Sequence, residues 1–317
     1  MATRQSTEIL TLSAIRKPKD TKVTEYLFNE KQRIFTFPEE IKAAEETIGT
    51  LRNALKAGMP VKARLDSRRG LIKQVSVPSQ KELVAFDRSR MLVKKPQKPR
   101  KVNVAAIDPT KYNIVDYYLK NPVFKLCLKT IPSYSKAKQI FDYCAQQSCH
   151  LPGPYNITPC IPFQYVIDGC YARAHKMRWI ITNKYKYCCE KVFSFANQND
   201  DRLAVKADKW GGCCVTWWYH VAPLVRVRVS LPAISKKELV LAMVIDPSMF
   251  DKPVLLSSWL SAQEKTACNA NAKVSMYSIQ AGSAYTPANY AGTAYTEDPS
   301  YTSTNATLTA YAGLTTC

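Results

Sequence analysis

The eleven cysteines of this 317-residue chain are confined to its second part: residues 1–126 contain none, and residues 127–317 contain them all. Such crowding is expected of a segment that folds in an oxidising compartment under disulfide staples. A cysteine-free stretch of 126 residues must instead fold on a hydrophobic core, and it is long enough to bury one. Two units are therefore expected, built on different principles. Because the cysteine count is odd, intramolecular pairing leaves at least one thiol free. Which thiol that is becomes the central question.

The formal charge of +20 raises the possibility of a nucleic-acid or anionic-surface partner. The excess is not focused. Residues 1–126 carry 26 Lys and Arg against 13 Asp and Glu, a net of +13, and residues 127–317 carry 19 against 12, a net of +7. No nucleic-acid motif accompanies the charge, so a solvated basic face is expected and no nucleic-acid partner. No run approaches the ~18 apolar residues of a membrane span, so no membrane partner is expected either. Met1 to Asp20 is polar and charged, without the apolar core of a secretory leader, so an exported protein would have this signal missing from the chain.

In the first unit, Tyr26–Phe28 and Arg33–Phe37 read as a hairpin around the polar turn Asn29-Glu30-Lys31-Gln32. A helix should follow from Pro38, with Glu39 and Glu40 near its start, Ile41, Ile48, Leu51 and Leu55 on one face, and Gly58 past its end. Val61 to Val77 reads as a second hairpin around Ser67-Arg68-Arg69-Gly70. Lys94-Lys95-Pro96-Gln97-Lys98-Pro99-Arg100-Lys101 reads as a solvated, extended, protease-accessible linker.

In the second unit, Cys170 to Thr182 is helical in pattern and opens after Asp168, a plausible N-cap, and Gly169. Val215 to Leu231 is strand-like, with Pro223 as a possible interruption, and Leu239 to Ile245 is a buried strand running into Asp246-Pro247-Ser248. The Tyr- and Thr-rich tail beyond Ala270 is expected to be ordered, as short strands or loops.

Three histidines limit the chemistry. His150 precedes a Pro-Gly-Pro loop, and His175 lies about 140° round the helix from Cys170, facing away from it. His220 follows Trp217-Trp218-Tyr219 on a strand, where a lone histidine is more often a satisfied core group than a functional one. Cys170 changes that balance. At a helix start, unpaired N–H groups and the helix dipole favour a thiolate. A cysteine at a helix start, a histidine on a strand and an aspartate at the next strand end follow the chain order of papain- and transglutaminase-like folds. A thiolate nucleophile needs a base and a group to orient that base, which Cys170, His220 and Asp246 can supply. The bland alternatives are half of a disulfide for Cys170 and a turn-former before Pro247 for Asp246.

The stretch Asp168-Gly169-Cys170-Tyr171-Ala172-Arg173-Ala174-His175-Lys176-Met177-Arg178 resembles the nucleophile helix of bacterial protein-glutaminases. Gln147-Ser148-Cys149, Cys213-Cys214-Val215 leading into Tyr219-His220-Val221-Ala222, and Ile245-Asp246-Pro247-Ser248 match in the same order. The resemblance covers roughly residues 127–317 and is densest over 149–222. It implies an α+β architecture: a small α+β pro-domain, then a papain/transglutaminase-like α+β catalytic domain with an antiparallel sheet and disulfides. The boundaries expected are 1–112 for an inhibitory pro-region, with the linker around 94–126, and 113–317 for the catalytic domain.

By the same resemblance, Cys170, His220 and Asp246 form a catalytic triad that hydrolyses glutamine side-chain amides through a thioester. Trp217, Trp218 and Tyr219 would wall a slot for the glutamine, although core packing explains at least two of them equally well. Expected partners are proteins or peptides with accessible glutamine and an activating protease. The enzyme should be a secreted bacterial monomer without cofactor or metal.

With Cys170 kept as a thiol, ten cysteines remain, enough for five disulfides. Cys149 and Cys160 enclose a short loop and are the preferred local pair. Cys188-Cys189 with Cys213-Cys214 is the competing zinc reading, but neither pair has the C-x₂-C spacing of a zinc site. Ser76 to Phe86 is the segment expected to cross the cleft. Three other functions remain open: a transglutaminase that passes the acyl group to an amine, a cysteine endopeptidase, and a non-enzymatic disulfide-rich binding module.

Overall fold

Strand-forming residues dominate the first seventy-six positions, and they build one antiparallel sheet. A computed structural model describes residues 5–18, 21, 23–38, 45–88, 91–92, 100–101, 129–196, 201–229 and 239–317. Its first element is a long strand that the sequence reading did not assign, β1 (Gln5–Arg16). The expected hairpins follow as β2 (Glu25–Phe28) with β3 (Ile34–Phe35), and β4 (Pro60–Asp66) with β5 (Leu71–Ser76). β1 joins them in the order β3-β2-β1-β4-β5, every pair antiparallel. The helix α1 (Glu45–Ala57) packs on this sheet with Leu51 buried, and Gly58 follows it in the left-handed region at φ 63°. The expected start at Glu39 and Glu40, and Ile41, lie outside the described residues. Leu10, Leu12, Tyr26, Phe28, Phe35, Leu51 and Leu65 are the centre of this unit's own core.

The segment expected to occlude the cleft does something else. Ser76 ends β5, and a separate helix, α2 (Gln80–Arg88), starts at a capping box in which Ser79 and Glu82 bond reciprocally. The chain then reaches across to the second unit. β6 (Met91–Leu92) pairs with β16 (Tyr295–Glu297), and β7 (Arg100–Lys101) pairs with β14 (Met276–Gln280). Arg100 and Lys101 are thus edge strand rather than free linker: main-chain pairing overrides what Pro and Lys content implies. Residues 93–99 of that linker, and the boundary at 112, lie outside the described residues.

The second unit centres on a six-stranded antiparallel sheet. Its members, beyond β7 and β14, are β8 (Glu190–Phe195), β11 (Tyr219–Val229), β12 (Leu239–Val244) and β13 (Val254–Leu255), in the order β13-β12-β11-β8-β14-β7. The expected single strand from Val215 is broken at Trp218, between β10 (Cys214–Trp217) and β11. Pro223 does not interrupt it and pairs in register with Lys191. β10 forms a separate hairpin with β9 (Leu203–Lys206).

The helices α3 (Tyr134–Ala145) and α4 (Cys170–Trp179) pack against β11. The first eight residues of α4 are all buried, so this is a helix enclosed on every side, and it ends in a π-helical turn, Ile180–Lys184. The tail is ordered, as expected, and also contributes a helix, α6 (Thr302–Tyr311), after the short α5 (Leu256–Ser261) and β15 (Ala284–Pro287).

Three disulfides join described residues: Cys149–Cys160, Cys213–Cys317 and Cys214–Cys268. Cys188 is disulfide-bonded as well. The five bridges for which the count leaves enough cysteines are not reached, because Cys144 and Cys189 remain thiols alongside Cys170. Both are buried in the core, where a cysteine behaves as a small apolar residue, and burial pushes both thiols up, Cys189 to about 12. The mixed α+β architecture with antiparallel sheets and disulfides is the one expected.

Candidate active site

Gly169 sets the entry to α4. It stands at φ 83°, and an added Cβ would lie 2.9 Å from the Tyr311 ring, so only glycine fits both the backbone and the space. It takes the N-cap position that Asp168 was expected to fill. Asp168, fully buried, instead accepts the Tyr311 hydroxyl at 2.7 Å. Arg173, one turn into the helix, donates to the main-chain carbonyls of Tyr165 and Asp168 and pins the turn that presents Cys170.

Register brings the other two residues together. In the β11–β12 pairing Leu224 faces Val244, and Ile245 continues it by donating to the Pro223 carbonyl. Asp246 then falls diagonal to His220, within side-chain reach. His220 Nε2 donates to Asp246 Oδ2 at 2.9 Å. Asp246 also accepts Trp259 Nε1 at 2.9 Å and the Ser248 hydroxyl at 2.5 Å. Burial pushes its carboxyl up, but the bonds from His220, Ser248 and Trp259 outweigh that and hold it at about 2. Burial pushes His220 down against the pull of Asp246, which favours neutral imidazole.

The His220 ring stacks on Trp217 at 4.6 Å and on Trp259 at 5.3 Å, leaving Nδ1 buried without a hydrogen-bond partner. A neutral imidazole held through Nε2, with Nδ1 open, is arranged to take a proton there. Cys170 borders the same strand, since the Val221 N–H reaches its sulfur. Burial and the Asp168 charge nonetheless raise the thiol well above its usual range.

What covers Cys170 is the turn between β2 and β3. Gln32 is fully buried; its side-chain carbonyl Oε1 accepts the Cys170 N–H at 3.0 Å, and its Nε2 lies 3.5 Å from the Val166 carbonyl. The main chain on either side is held as well. The Gln32 N–H donates to Asp168 Oδ1, its carbonyl accepts the Trp218 N–H, and Trp218 Nε1 donates to the Lys31 carbonyl at 2.7 Å. Lys31 Nζ pairs with Glu8 at 2.8 Å and donates to the Tyr311 hydroxyl. The turn was legible in the sequence only as a polar hairpin loop, and nothing in its composition distinguished Gln32.

The remaining candidates are placed as follows. Trp217, Trp218 and Tyr219 are all fully buried; Trp217 lies on His220 and Trp218 meets the Lys31-Gln32 main chain. His175 is turned away from Cys170, bonded to the Asp298 carbonyl and to Lys191 Nζ. His150 stacks edge-on against Trp210. Cys149 and Cys160 are joined to each other. Sequence reasoning missed Trp259, Ser248, Arg173 and Tyr311 as supports of this site. Among the described residues, no group of three or more His, Cys, Asp and Glu is arranged to hold a metal ion, and no helix is long and apolar enough to cross a membrane.

A family model described as "Glutaminase" matches residues 137–263, which contain Cys170, His220 and Asp246. The whole chain is similar to the crystal structure of pro-protein-glutaminase, at 28% identity and a TM-score of 0.70, covering 98% of this chain and 94% of that one. The chain belongs to the protein-glutaminase family. A mutant form of pro-protein-glutaminase gives the same identity and TM-score over 99% of this chain and 95% of that one. Protein-glutaminase from Chryseobacterium proteolyticum is 35% identical over 59% of this chain and 90% of its own, with a TM-score of 0.49. No curated protein matches in sequence. The similarity to the pro-forms runs through both units of this chain.

Proposed function

We propose that this chain is the zymogen of a secreted enzyme that deamidates protein-bound glutamine, with Cys170 as nucleophile, His220 as general base and acid, and Asp246 as the group that orients and neutralises His220. The observation that carries this reading is the seat of Gln32: a glutamine carboxamide whose oxygen rests on the helix-start N–H of Cys170. In the acyl-transfer step, His220 Nδ1 takes the thiol proton and Cys170 sulfur attacks the carboxamide carbon. The proton then leaves on ammonia. Water, activated by the same nitrogen, hydrolyses the thioester to glutamate. The Cys170 N–H holds the oxyanion, an interaction worth about 3 kcal/mol in related chemistry.

One observation weighs against a peptidase. The Gln32 side chain, not its peptide carbonyl, meets the Cys170 N–H; the peptide carbonyl is engaged by Trp218. That favours amide side-chain chemistry over peptide cleavage. The site around Cys170 and His220 is buried on all sides in the pro-form, so the opening that admits substrate is made when the pro-region leaves. The pro-region is assigned to residues 1–112, the catalytic domain to 113–317, and the activating cut to the basic stretch that begins at Lys94. The disulfides and the family fit a secreted bacterial enzyme.

The test is ammonia release from a glutamine-containing peptide, measured on the intact chain and after limited trypsin treatment. Ammonia should rise by orders of magnitude on clipping, with a product about 1 Da heavier than the peptide. Dominant incorporation of an added primary amine would replace this reading with a transglutaminase, and backbone cleavage would replace it with a peptidase. Full activity in the intact chain would remove the zymogen assignment.

A further inference from the structure

An inhibitory loop needs only to fill the cleft. An alanine or methionine at position 32 would exclude substrate without offering anything to react. Gln32 offers the chemical group that the proposed enzyme hydrolyses, and every polar atom of the residue is oriented. Its carbonyl oxygen accepts the Cys170 N–H at 3.0 Å, and its amide nitrogen lies 3.5 Å from the Val166 carbonyl. Its N–H is held by Asp168 at 3.1 Å and its carbonyl by the Trp218 N–H at 3.2 Å. The loop is fixed further by Asn29, whose side chain donates to the Ala288 carbonyl, and by the buried Lys31. Orientation of this kind raises the effective concentration of a reacting group by many orders of magnitude. The open Nδ1 of His220 supplies the base.

We propose that Gln32 is the enzyme's first substrate: Cys170 deamidates it within the folded, unclipped chain, converting position 32 to glutamate. This rests on the function proposed above. In the first half-reaction the Cys170 S–H bond breaks, a C–S bond forms at Gln32 Cδ, the C–N bond breaks, and the thiol proton leaves with ammonia. In the second, water adds to the thioester carbon, the C–S bond breaks, and Cys170 regains its proton. No other reactant is needed. The product is a carboxylate at a site that already holds Asp168, and two buried carboxylates repel, so the reaction weakens the grip on the loop and prepares the pro-region for release.

The test is peptide mass mapping of position 32 in the full-length chain and in its Cys170→Ala variant, alongside the peptide assay on the clipped enzyme. The expected result is glutamate at 32, about 1 Da heavier, or a peptide joined to Cys170 and about 17 Da lighter, in the parent chain only. Unmodified glutamine at 32 in a chain whose clipped form deamidates added peptide would overturn the proposal and leave the general function standing. A clipped enzyme that releases no ammonia would remove both. Equal conversion in Cys170→Ala would mean spontaneous deamidation and would also overturn it. After refolding, conversion should be first order; a rate that grows with protein concentration would exclude the intramolecular step.

Discussion

The two units of this chain hold themselves together differently. The five-stranded unit has no cysteine and no histidine, and relies on a small core of Leu, Phe and Tyr around Leu51. The catalytic unit has two apolar clusters, disulfides, and His175 and His220 buried inside. Where they meet, the first unit supplies a loop and the second supplies fixed partners. Glu25 is paired with its neighbour Arg16 and, across the boundary, with Arg202. The lesson is a division of labour. On the proposed reading, a pro-region that is removed needs only enough core to hold one turn over Cys170, whereas a catalytic unit that acts outside the cell gains from being cross-linked.

The strongest way to break this comparison is to remove the thiol. Cys170→Ala in the clipped enzyme should lower kcat/KM on a glutamine peptide by about 10⁴-fold or more, with near-native folding by circular dichroism. Retained turnover would move the chemistry elsewhere.

Cross-linking should matter only on one side. Cys213–Cys317 closes a loop with a sequence separation of 104, and Cys149–Cys160 one of 11. On the chain-entropy account these stabilise by about 5 and about 3 kcal/mol. Urea unfolding of the clipped enzyme should therefore show a larger loss for Cys317→Ser than for Cys160→Ser. A reductant should lower the stability of the catalytic unit and leave hydrogen exchange in β1 and β4 unchanged.

The boundary is also held by the ion pairs of Glu25 with Arg16 and Arg202. Glu25→Gln leaves Arg16 and Arg202 facing each other without their shared carboxylate. Breaking a buried pair in this way costs about 3–5 kcal/mol at most, so the clipped pro-region should dissociate on the order of 10²-fold more readily. The check is titration of residual inhibition against added pro-region. An unchanged inhibition constant would show that the Lys31-Gln32 turn alone holds the complex.

Much of this was readable beforehand, for identifiable reasons. The hairpins announced themselves through alternating apolar residues and Gly70, and α4 through its spacing. Cys170, His220 and Asp246 stood out because they sit at element ends in a recognisable order. The missed parts were long-range. β1 carries hydroxyls and charges among its apolar residues, and its partners β2 and β4 are set by tertiary pairing. Arg100 and Lys101 look like linker until β14 pairs with them. Gln32 sits in a turn like any other, and its meaning depends on Cys170, which lies 138 positions away. Trp259, which braces Asp246, sits on a short helix that no local pattern links to β11.

The smallest effect expected concerns acid, and it too divides the units. His175 is buried against Lys191, Arg178, Tyr285, Tyr301 and the Asp298 carbonyl. Burial, with the Lys191 and Arg178 charges behind it, pushes it from 6.5 down to about 2. His220 is lowered by burial in the same sense, and so is Lys191. A histidine buried neutral takes up its proton only on unfolding, so its share of stability is complete above pH ~6.5 and is lost as pH falls below that value. For His175 the loss is at most about 1.4 kcal/mol per pH unit, and it continues throughout the accessible acid range. Asp246 adds to it only below 3.8, as pH falls toward its value near 2. The five-stranded unit, without a histidine, loses nothing by this route above pH ~5; its half-buried Glu8, pushed up by desolvation but lowered on balance by the Lys31 charge together with the hydrogen bonds from Lys31 and Ser6, responds only below 4.5. Thermal unfolding of the clipped enzyme should therefore fall between pH 7 and 5, while hydrogen exchange in the β1–β4 pair of the intact chain stays flat. His175→Gln keeps a polar side chain beside Lys191 and removes one titrating proton, so whatever it does to stability at pH 7, it should flatten the slope below. An unchanged slope would mean that His175 already carries its proton in the folded enzyme, and that Lys191 is the neutral partner of the pair.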